Sequence, residues 1–122
     1  MSQCAFGIKA LTAGEALAAY RRVKLSGATV VYSDQGEDFI GITEGAVANA
    51  ARAAVGLIGA RTHKCVASEA LAAGASIYGA NDGKVSDTAV GPKIGFALEA
   101  ALADGDVIEC IIDKDASESW SA

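Results

Sequence analysis

The chain has 122 residues, of which 52% are hydrophobic and 20% charged, so it suits one globular domain and excludes a second large one. Its 10 basic and 15 acidic side chains give a net charge of −5, which argues against a nucleic-acid backbone as the main partner because phosphate binding depends on cations. The sequence has no apolar run of the ~18 residues that span a bilayer, and it does not begin like a secretory signal. We therefore expect no direct contact with nucleic acid or membrane, and synthesis in a reducing cytoplasm.

Two internal similarities divide the chain into related halves. Residues 10–14 (ALTAG) recur as residues 70–74 (ALAAG), 60 positions later, and residues 40–42 (IGI) recur as residues 94–96 (IGF), 54 positions later. Such self-similarity indicates two copies of one structural unit. The predicted parts are an N-terminal arm (1–9), a single domain (10–113) with halves 10–59 and 66–113, and a polar C-terminal tail (114–122).

The first half contains a predicted hairpin. Residues 20–25 (YRRVKL) end in alternating polar and apolar side chains, Ser26-Gly27 indicates a turn, and residues 28–32 (ATVVY) are β-branched and aromatic. We predict two antiparallel strands joined at this turn.

Residues 44–55 (EGAVANAARAAV) are ambiguous. Their alanines favour a helix that Thr43 could cap, and residues 98–103 of the second half are also rich in alanine. We expect each half to carry either a short helix or an irregular excursion before its last strand.

The second half repeats the pattern of strands and turns. Asp82-Gly83 is a strong hairpin signal between residues 75–80 and 84–86. Two more strands are predicted, residues 93–97 after the turn at 91–92 and residues 107–112 after the turn at 104–106. Turn signals about every 8–12 residues predict a mainly β fold, a small β-barrel or β-sandwich-like domain built from two strand-rich halves.

Reactive side chains are few. The three cysteines, Cys4, Cys65 and Cys110, are odd in number and form no CxxC pair, so we interpret them as buried reduced thiols rather than disulfides or zinc ligands. The only histidine, His63, is interpreted as a surface residue on the connection between the halves. Cys65 would share a strand face with His63, so a cysteine-histidine dyad stays open as an alternative.

Six carboxylates fall into two groups that we place in solvated turns, where aspartate commonly bonds the nearby backbone. Ligation of calcium or magnesium, or a paired general acid and base, stays open for them. The two groups are Asp34, Glu37 and Asp38, and Asp104, Asp106 and Glu109. We predict no catalytic residues, no cofactor and no metal site.

Four residues are candidate contacts to a protein partner. Arg21, Arg22 and Lys24 form the densest basic cluster, and strand alternation would place Arg22 and Lys24 on one solvated or partner-facing surface. Trp120 is a lone large aromatic residue in the polar tail, and tryptophan is enriched at binding hot spots.

The order of several segments resembles the small capsid decoration, or cement, proteins of tailed bacteriophages. The resemblance covers roughly residues 10–113. The segments are residues 14–25, 40–44, 73–78, 82–85, 94–101 and 105–108.

This resemblance implies a β-rich structural protein without catalytic residues, located on the outer capsid surface of the virion and made in the host bacterial cytoplasm. Its partner would be the major capsid protein, whose neighbouring subunits it would hold together, and it would form a homo-oligomer, with a trimer favoured. Two alternatives stay open: a ligand-binding or enzymatic β-barrel in which His63, Cys65 and turn carboxylates line a pocket, and another structural component of the head or tail.

Overall fold

The computed structural model describes residues 7–58 and 62–113, which form ten strands in two groups of five. The first group, called lobe 1, contains β1 (Ile8–Ala13), β2 (Arg22–Ser26), β3 (Thr29–Tyr32), β4 (Gly41–Thr43) and β5 (Arg52–Leu57). The second group, called lobe 2, contains β6 (Thr62–Val66), β7 (Ser76–Gly79), β8 (Val85–Ser86), β9 (Lys93–Ala97) and β10 (Val107–Ile112). A single 3₁₀ turn, Asn81–Gly83, is the helical element of the described residues, so the prediction of a mainly β fold is confirmed.

Lobe 1 is a closed barrel with the strand order β1-β3-β2-β4-β5, closed by antiparallel pairing of β5 with β1. Its interior is filled by aliphatic side chains no larger than leucine. These side chains are Ala13, Leu17, Val23, Val30, Ala53 and Val55. Lobe 2 is a sheet with the order β6-β10-β9-β7-β8.

Both lobes have the same connectivity. In each lobe the first strand pairs with the fifth, the second with the third and fourth, and the fourth with the fifth. Outside the strands, the bridge between Leu17 and Val47 in lobe 1 has its counterpart between Leu71 and Ala101 in lobe 2. The two lobes are therefore structural copies of one another.

The equivalent bridges correct one of the sequence alignments. Leu71 follows Leu17 by 54 positions, and with this spacing the segment EALAA at residues 15–19 matches the same five letters at residues 69–73. The match of residues 10–14 with residues 70–74 is wrong, because Leu11 lies in β1 whereas Leu71 forms the bridge to Ala101.

The repeated Ile-Gly pair has the same structural reason in each lobe. A Cβ atom on Gly41 would lie 2.5 Å from the carbonyl oxygen of Gly56, and one on Gly95 would lie 1.8 Å from that of Ile111. Side chains do not fit at these two positions, because the adjacent strand passes too close.

Both predicted hairpins are confirmed, as β2 with β3 and β7 with β8. A helix within residues 44–55 is wrong, and the irregular excursion is confirmed. The Val47 amide donates to the Leu17 carbonyl at 2.8 Å and the Leu17 amide donates back at 2.9 Å, so the middle of this segment bonds a distant part of the barrel instead of forming a helix. No helix in the described ranges is long and apolar enough to cross a membrane.

Lobe 1 packs against lobe 2 through side chains on the outer face of its barrel. Phe39 and Ile42 are fully buried and belong to the apolar core of lobe 2, together with residues such as Cys65, Ile77 and Ile94. Lobe 1 therefore completes the core of lobe 2 in addition to having its own, and the two lobes stabilise each other.

Arg22 is buried at this junction with none of its surface exposed. Its guanidinium donates to the Ser33 hydroxyl and carbonyl at 3.0 Å each within lobe 1. In lobe 2 its Nε donates to the Lys84 carbonyl at 3.0 Å and Nη2 donates to the Ala80 carbonyl. The ring of Phe39 lies 5.2 Å from the guanidinium carbon, so one side chain joins the two lobes through polar and aromatic contacts.

The charge of Arg22 persists in this position. Burial lowers the pKa of Arg22 to about 10, while the nearby carboxylates of Asp34 and Glu37 raise it, and a value of about 10 still leaves the guanidinium protonated at neutral pH. A buried charge is stable only when its donors are bonded, which the surrounding carbonyls achieve.

We expect Arg22→Met to lower the free energy of unfolding by about 3 kcal/mol, because methionine fills similar space but removes every hydrogen bond that the guanidinium donates across the junction. Urea unfolding followed by circular dichroism measures this change. Lys24→Met on the same strand is the control, and we expect it to cost less than about 1 kcal/mol because its ion pair with Glu37 is partly exposed. Equal unfolding midpoints for Arg22→Met and the wild type would contradict the role assigned to Arg22.

Gly83 provides a second test of the junction. Its φ is +72°, and a Cβ there would lie 2.5 Å from the Arg22 carbonyl oxygen, whereas Gly27 has φ +62° with nothing within 4 Å. Both substitutions by alanine incur backbone strain of about 1–2 kcal/mol, and Gly83→Ala adds a collision with backbone. We expect a clearly lower thermal midpoint for Gly83→Ala than for Gly27→Ala; equal midpoints would show that the lobes separate freely at this contact.

Candidate functional site

Of the predicted basic cluster of Arg21, Arg22 and Lys24, only a part is exposed. The expectation that Arg22 and Lys24 share a solvated face is wrong for Arg22, because lobe 2 covers that part of the barrel and buries the guanidinium. Arg21 is half-buried, donates to the Asp82 carbonyl at 3.0 Å and lies over the ring of Tyr32. Arg21 and Lys24 are thus the members of this cluster that retain access to a partner.

Lys24 forms an ion pair at the barrel surface. Its Nζ lies 2.6 Å from Glu37 Oε2, and about a third of the Lys24 side chain is exposed. The hydrogen bond from Lys24, assisted by one from the Asp34 backbone amide, holds the pKa of Glu37 below its usual range. This site therefore presents a paired cation and anion, not an isolated positive charge.

His63 and Cys65 both point into lobe 2, which corrects the prediction of a surface histidine. His63 lies within strand β6 and is only 2% exposed, because the pairing of β6 with β10 turns it inward opposite Cys110. Cys65 and Cys110 are free and buried, as predicted. Cys4 lies outside the described residues.

The thiol of Cys65 is unsuited to nucleophilic chemistry. A hydrogen bond with Cys110, together with burial, raises the pKa of Cys65 well above its usual value, so the thiol is protonated at neutral pH. The side chain is fully buried and cannot line an open cleft. The shared strand face of His63 and Cys65 is confirmed, but it faces the core.

Three of the six carboxylates bond the backbone of their own turns, as predicted: Glu37, Asp38 and Asp106. Asp34 instead accepts the Asp82 amide of lobe 2 at 3.0 Å, and Asp104 forms an ion pair with Lys84. Glu109 differs, since it lies in strand β10 and accepts the Thr62 hydroxyl. Within residues 7–58 and 62–113, no group of three or more histidine, cysteine or acidic side chains is placed to hold a metal ion.

Among the described residues, polar side chains line open clefts, and two of these are well formed. One, of about 410 Å³, lies where the loop around Gln35 meets lobe 2 near Asn81 and Lys84. The other, of about 320 Å³, is lined by residues that include Tyr20, His63 and Glu109. Ligand pockets are usually concave and largely apolar, so neither cleft has the character expected of a small-molecule site.

Lobe 2 exposes a group of large apolar side chains, on β9, on β10 and in the loop between them, that the sequence interpretation missed. Its members, called the β9-β10 patch, are each at least 38% exposed. They are Phe96, Leu98, Leu102, Val107 and Ile111. The available signal was β10 itself, whose letters VIECII are apolar at positions facing both sides, a pattern typical of a strand covered on two faces.

Trp120 lies outside the described residues, as do residues 1–6 and most of the predicted tail. Its interpretation as a partner contact stays a prediction. Within the described ranges, the β9-β10 patch, the Arg21 and Lys24 surface and the polar clefts are accessible to a partner.

Comparisons with known proteins agree with a structural role on a virus particle. A solved structure with a similar fold is the head fiber gp8.5 N base in bacteriophage phi29, with a TM-score of 0.76 and 16% sequence identity over 87% of this chain and 92% of that chain. A comparison with curated proteins finds no match. The model of a phage cement protein family matches residues 6–112, a range that includes both lobes. This chain therefore belongs to the phage cement protein family.

Proposed function

We propose that this protein binds the outer surface of a bacteriophage head and joins neighbouring major capsid subunits, stabilising the shell against the pressure of packaged DNA. The observation that carries the proposal is the family match, which extends through both lobes. In this proposal the protein is made in the host bacterial cytoplasm and ends on the outer capsid surface of the virion.

The architecture suits such a role. A protein that cements a shell must contact more than one subunit, because only then does separating the subunits break additional contacts. Two lobes held together by the buried Arg22 network give a stiff body with surfaces on both lobes. Stiffness matters because a flexible bridge would let the two capsid subunits that it contacts move apart with little opposing force.

We infer that the role is structural rather than enzymatic. The family consists of cement proteins, and the similar solved structure is part of a phage head fiber. The buried, protonated thiol of Cys65 argues in the same direction.

The proposed capsid contacts are residues 1–9 and 113–122, with Trp120 as the best single candidate, together with Arg21 and Lys24. Arg22 is not among them because it is buried. The net charge of −5 suits a basic patch on the capsid, since complementary charge guides association. We also propose that the protein binds the capsid as a homo-oligomer, with a trimer favoured.

Co-sedimentation with expanded heads that lack their decoration tests capsid binding. We expect saturable binding at a fixed ratio to the major capsid protein, because a cement protein occupies repeated equivalent positions. Heads that already carry their decoration are the control and should bind little more. Absence of binding to the undecorated heads would contradict the proposal.

Deletion of residues 114–122 tests the tail. We expect at least about tenfold weaker binding to heads, the size of effect that loss of one tryptophan anchor produces. Trp120→Ala should reproduce most of the loss and Trp120→Phe should retain much of the binding. The double variant Asp115→Asn with Glu118→Gln keeps Trp120 but removes two negative charges, so it separates the effect of tail charge from the effect of the tryptophan. Full binding by the truncated protein would remove the tail and Trp120 from the proposed contacts.

A further inference from the structure

The β9-β10 patch is continuous along its two strands. Phe96 and Ile111 are direct partners on β9 and β10. The Leu98 amide donates to the Glu109 carbonyl at 2.8 Å. Glu109 lies midway between Ile111 and Val107 on β10, so Leu98 fills the space between these two exposed positions. Contiguous exposed apolar patches on proteins commonly mark interaction sites.

The fifth member of the patch, Leu102, lies on a loop whose backbone is held by hydrogen bonds. Its amide donates to an Asp106 carboxylate oxygen at 2.7 Å, and the preceding Ala101 exchanges backbone hydrogen bonds of 2.9 and 3.0 Å with Leu71. The Leu102 side chain is nevertheless 85% exposed. A side chain presented on an ordered backbone loses little further freedom on binding, which favours a contact at this position.

The fold itself does not require large apolar side chains in the patch. Three members have counterparts in lobe 1, at the same places in the repeated backbone hydrogen bonds and strand pairs. The counterparts of Leu98, Leu102 and Val107 are, in this order, Glu44, Ala48 and Arg52. Because lobe 1 forms the same backbone with charged or small side chains there, the leucines and the valine of lobe 2 are available for a contact outside the molecule.

Acidic side chains outnumber basic ones around the patch. Residues 93–113, which include β9, β10 and the loop between them, carry five acidic side chains and one basic one. The basic one is Lys93, whose Nζ lies 3.6 Å from the centroid of the Phe96 ring. The acidic ones are Glu99, Asp104, Asp106, Glu109 and Asp113.

Two lysines from neighbouring elements reduce this excess without removing it. Lys64 on β6 is the strand partner of Glu109, and Lys84 forms an ion pair with Asp104 at 2.8 Å. With both lysines included, five acidic side chains stand against three basic ones. A rim of this sign repels a second copy of itself and attracts a partner whose apolar contact is flanked by basic side chains.

We propose that the β9-β10 patch is a capsid-binding face of this protein, which receives an apolar segment of the major capsid protein flanked by lysine or arginine side chains. The inference deepens the proposed function and rests on it, because it adds a contact on lobe 2 to those proposed for the chain ends and for Arg21 and Lys24. The apolar side chains are removed from water on binding, and the acidic rim selects a basic partner.

Co-sedimentation of variants of the full chain with undecorated heads tests the apolar part of the contact. We expect the double variant Leu98→Ala with Leu102→Ala to bind at least about 30-fold more weakly than the wild type, because it truncates two exposed anchors. Leu25→Ala is the matched control, since Leu25 is 54% exposed on lobe 1, and it should bind as the wild type does.

Circular dichroism and thermal midpoints establish that each variant is folded. Leu102→Ala alone serves if the double variant unfolds, because lobe 1 carries alanine at the equivalent place. We expect this single variant to bind at least about fivefold more weakly than the wild type.

The double variant Glu99→Gln with Asp106→Asn tests the acidic rim. Each amide oxygen can accept the backbone hydrogen bond that the carboxylate accepts, so the variant removes two charges and keeps the loop in place. We expect about threefold to tenfold weaker binding in low salt and a smaller difference in about 0.5 M salt. Glu69→Gln with Asp87→Asn is the control for total charge, since Glu69 bonds Thr88 beyond β8, at the other edge of the lobe 2 sheet, and it should bind as the wild type does.

The outcomes separate this inference from the proposed function. Wild-type binding that the alanine variants do not weaken overturns the inference and leaves capsid binding intact, whereas a wild type that binds no heads overturns the proposed function itself. Binding that is unchanged or stronger in Glu99→Gln with Asp106→Asn overturns the basic partner. Sedimentation velocity without heads detects another occupant: a wild-type oligomer that Leu98→Ala with Leu102→Ala dissociates would assign the patch to a second copy and overturn the inference.

Discussion

The structure depends on the packing of one face of lobe 1 into the core of lobe 2. Lobe 1 closes its own barrel, because β1 pairs with β5 on one side and in parallel with β3 on the other. In lobe 2 the corresponding parallel contact is reduced to a single bridge between Ala67 and Val85. Phe39 and Ile42 complete the apolar core there, and Arg22 bonds the backbone around it. Lobe 2 therefore includes residues of lobe 1 in its own core.

Local signals in the sequence predicted most of the fold. Asp82-Gly83 and Ser26-Gly27 indicated hairpins correctly, because a turn is determined by the few residues that form it. The excursion around Val47 could not be distinguished from a helix, because the carbonyl that its amide bonds belongs to Leu17, distant in sequence. The spacing of the two copies was misjudged for a related reason: the short motif ALxAG has similar letters at positions with different structural roles.

The burial of Arg22 could not be predicted from its own strand. The letters RVKLS alternate as a surface strand does, and the carbonyls that bond the guanidinium lie at Ser33 and, far along the chain, at Ala80 and Lys84. His63 was misplaced for the same reason, since its partner strand β10 lies more than forty residues away. The patch on lobe 2 had a signal in the sequence, since the letters VIECII of β10 are apolar at positions that face both sides of the sheet.

The two copies of the fold have different surroundings in this cement-family protein, because lobe 1 packs into the core of lobe 2 whereas lobe 2 exposes apolar side chains. The outer face of lobe 1 around Ile42 and Arg22 joins the lobes into a stiff body, whereas the β9-β10 patch of lobe 2 is exposed. The most direct test of the proposal that this protein joins capsid subunits is a cryo-EM reconstruction of undecorated heads after addition of the purified protein. We expect two-lobed density on the outside of the shell that touches at least two neighbouring major capsid subunits. A shell without added density, or added density confined to its inner surface, would contradict the proposal.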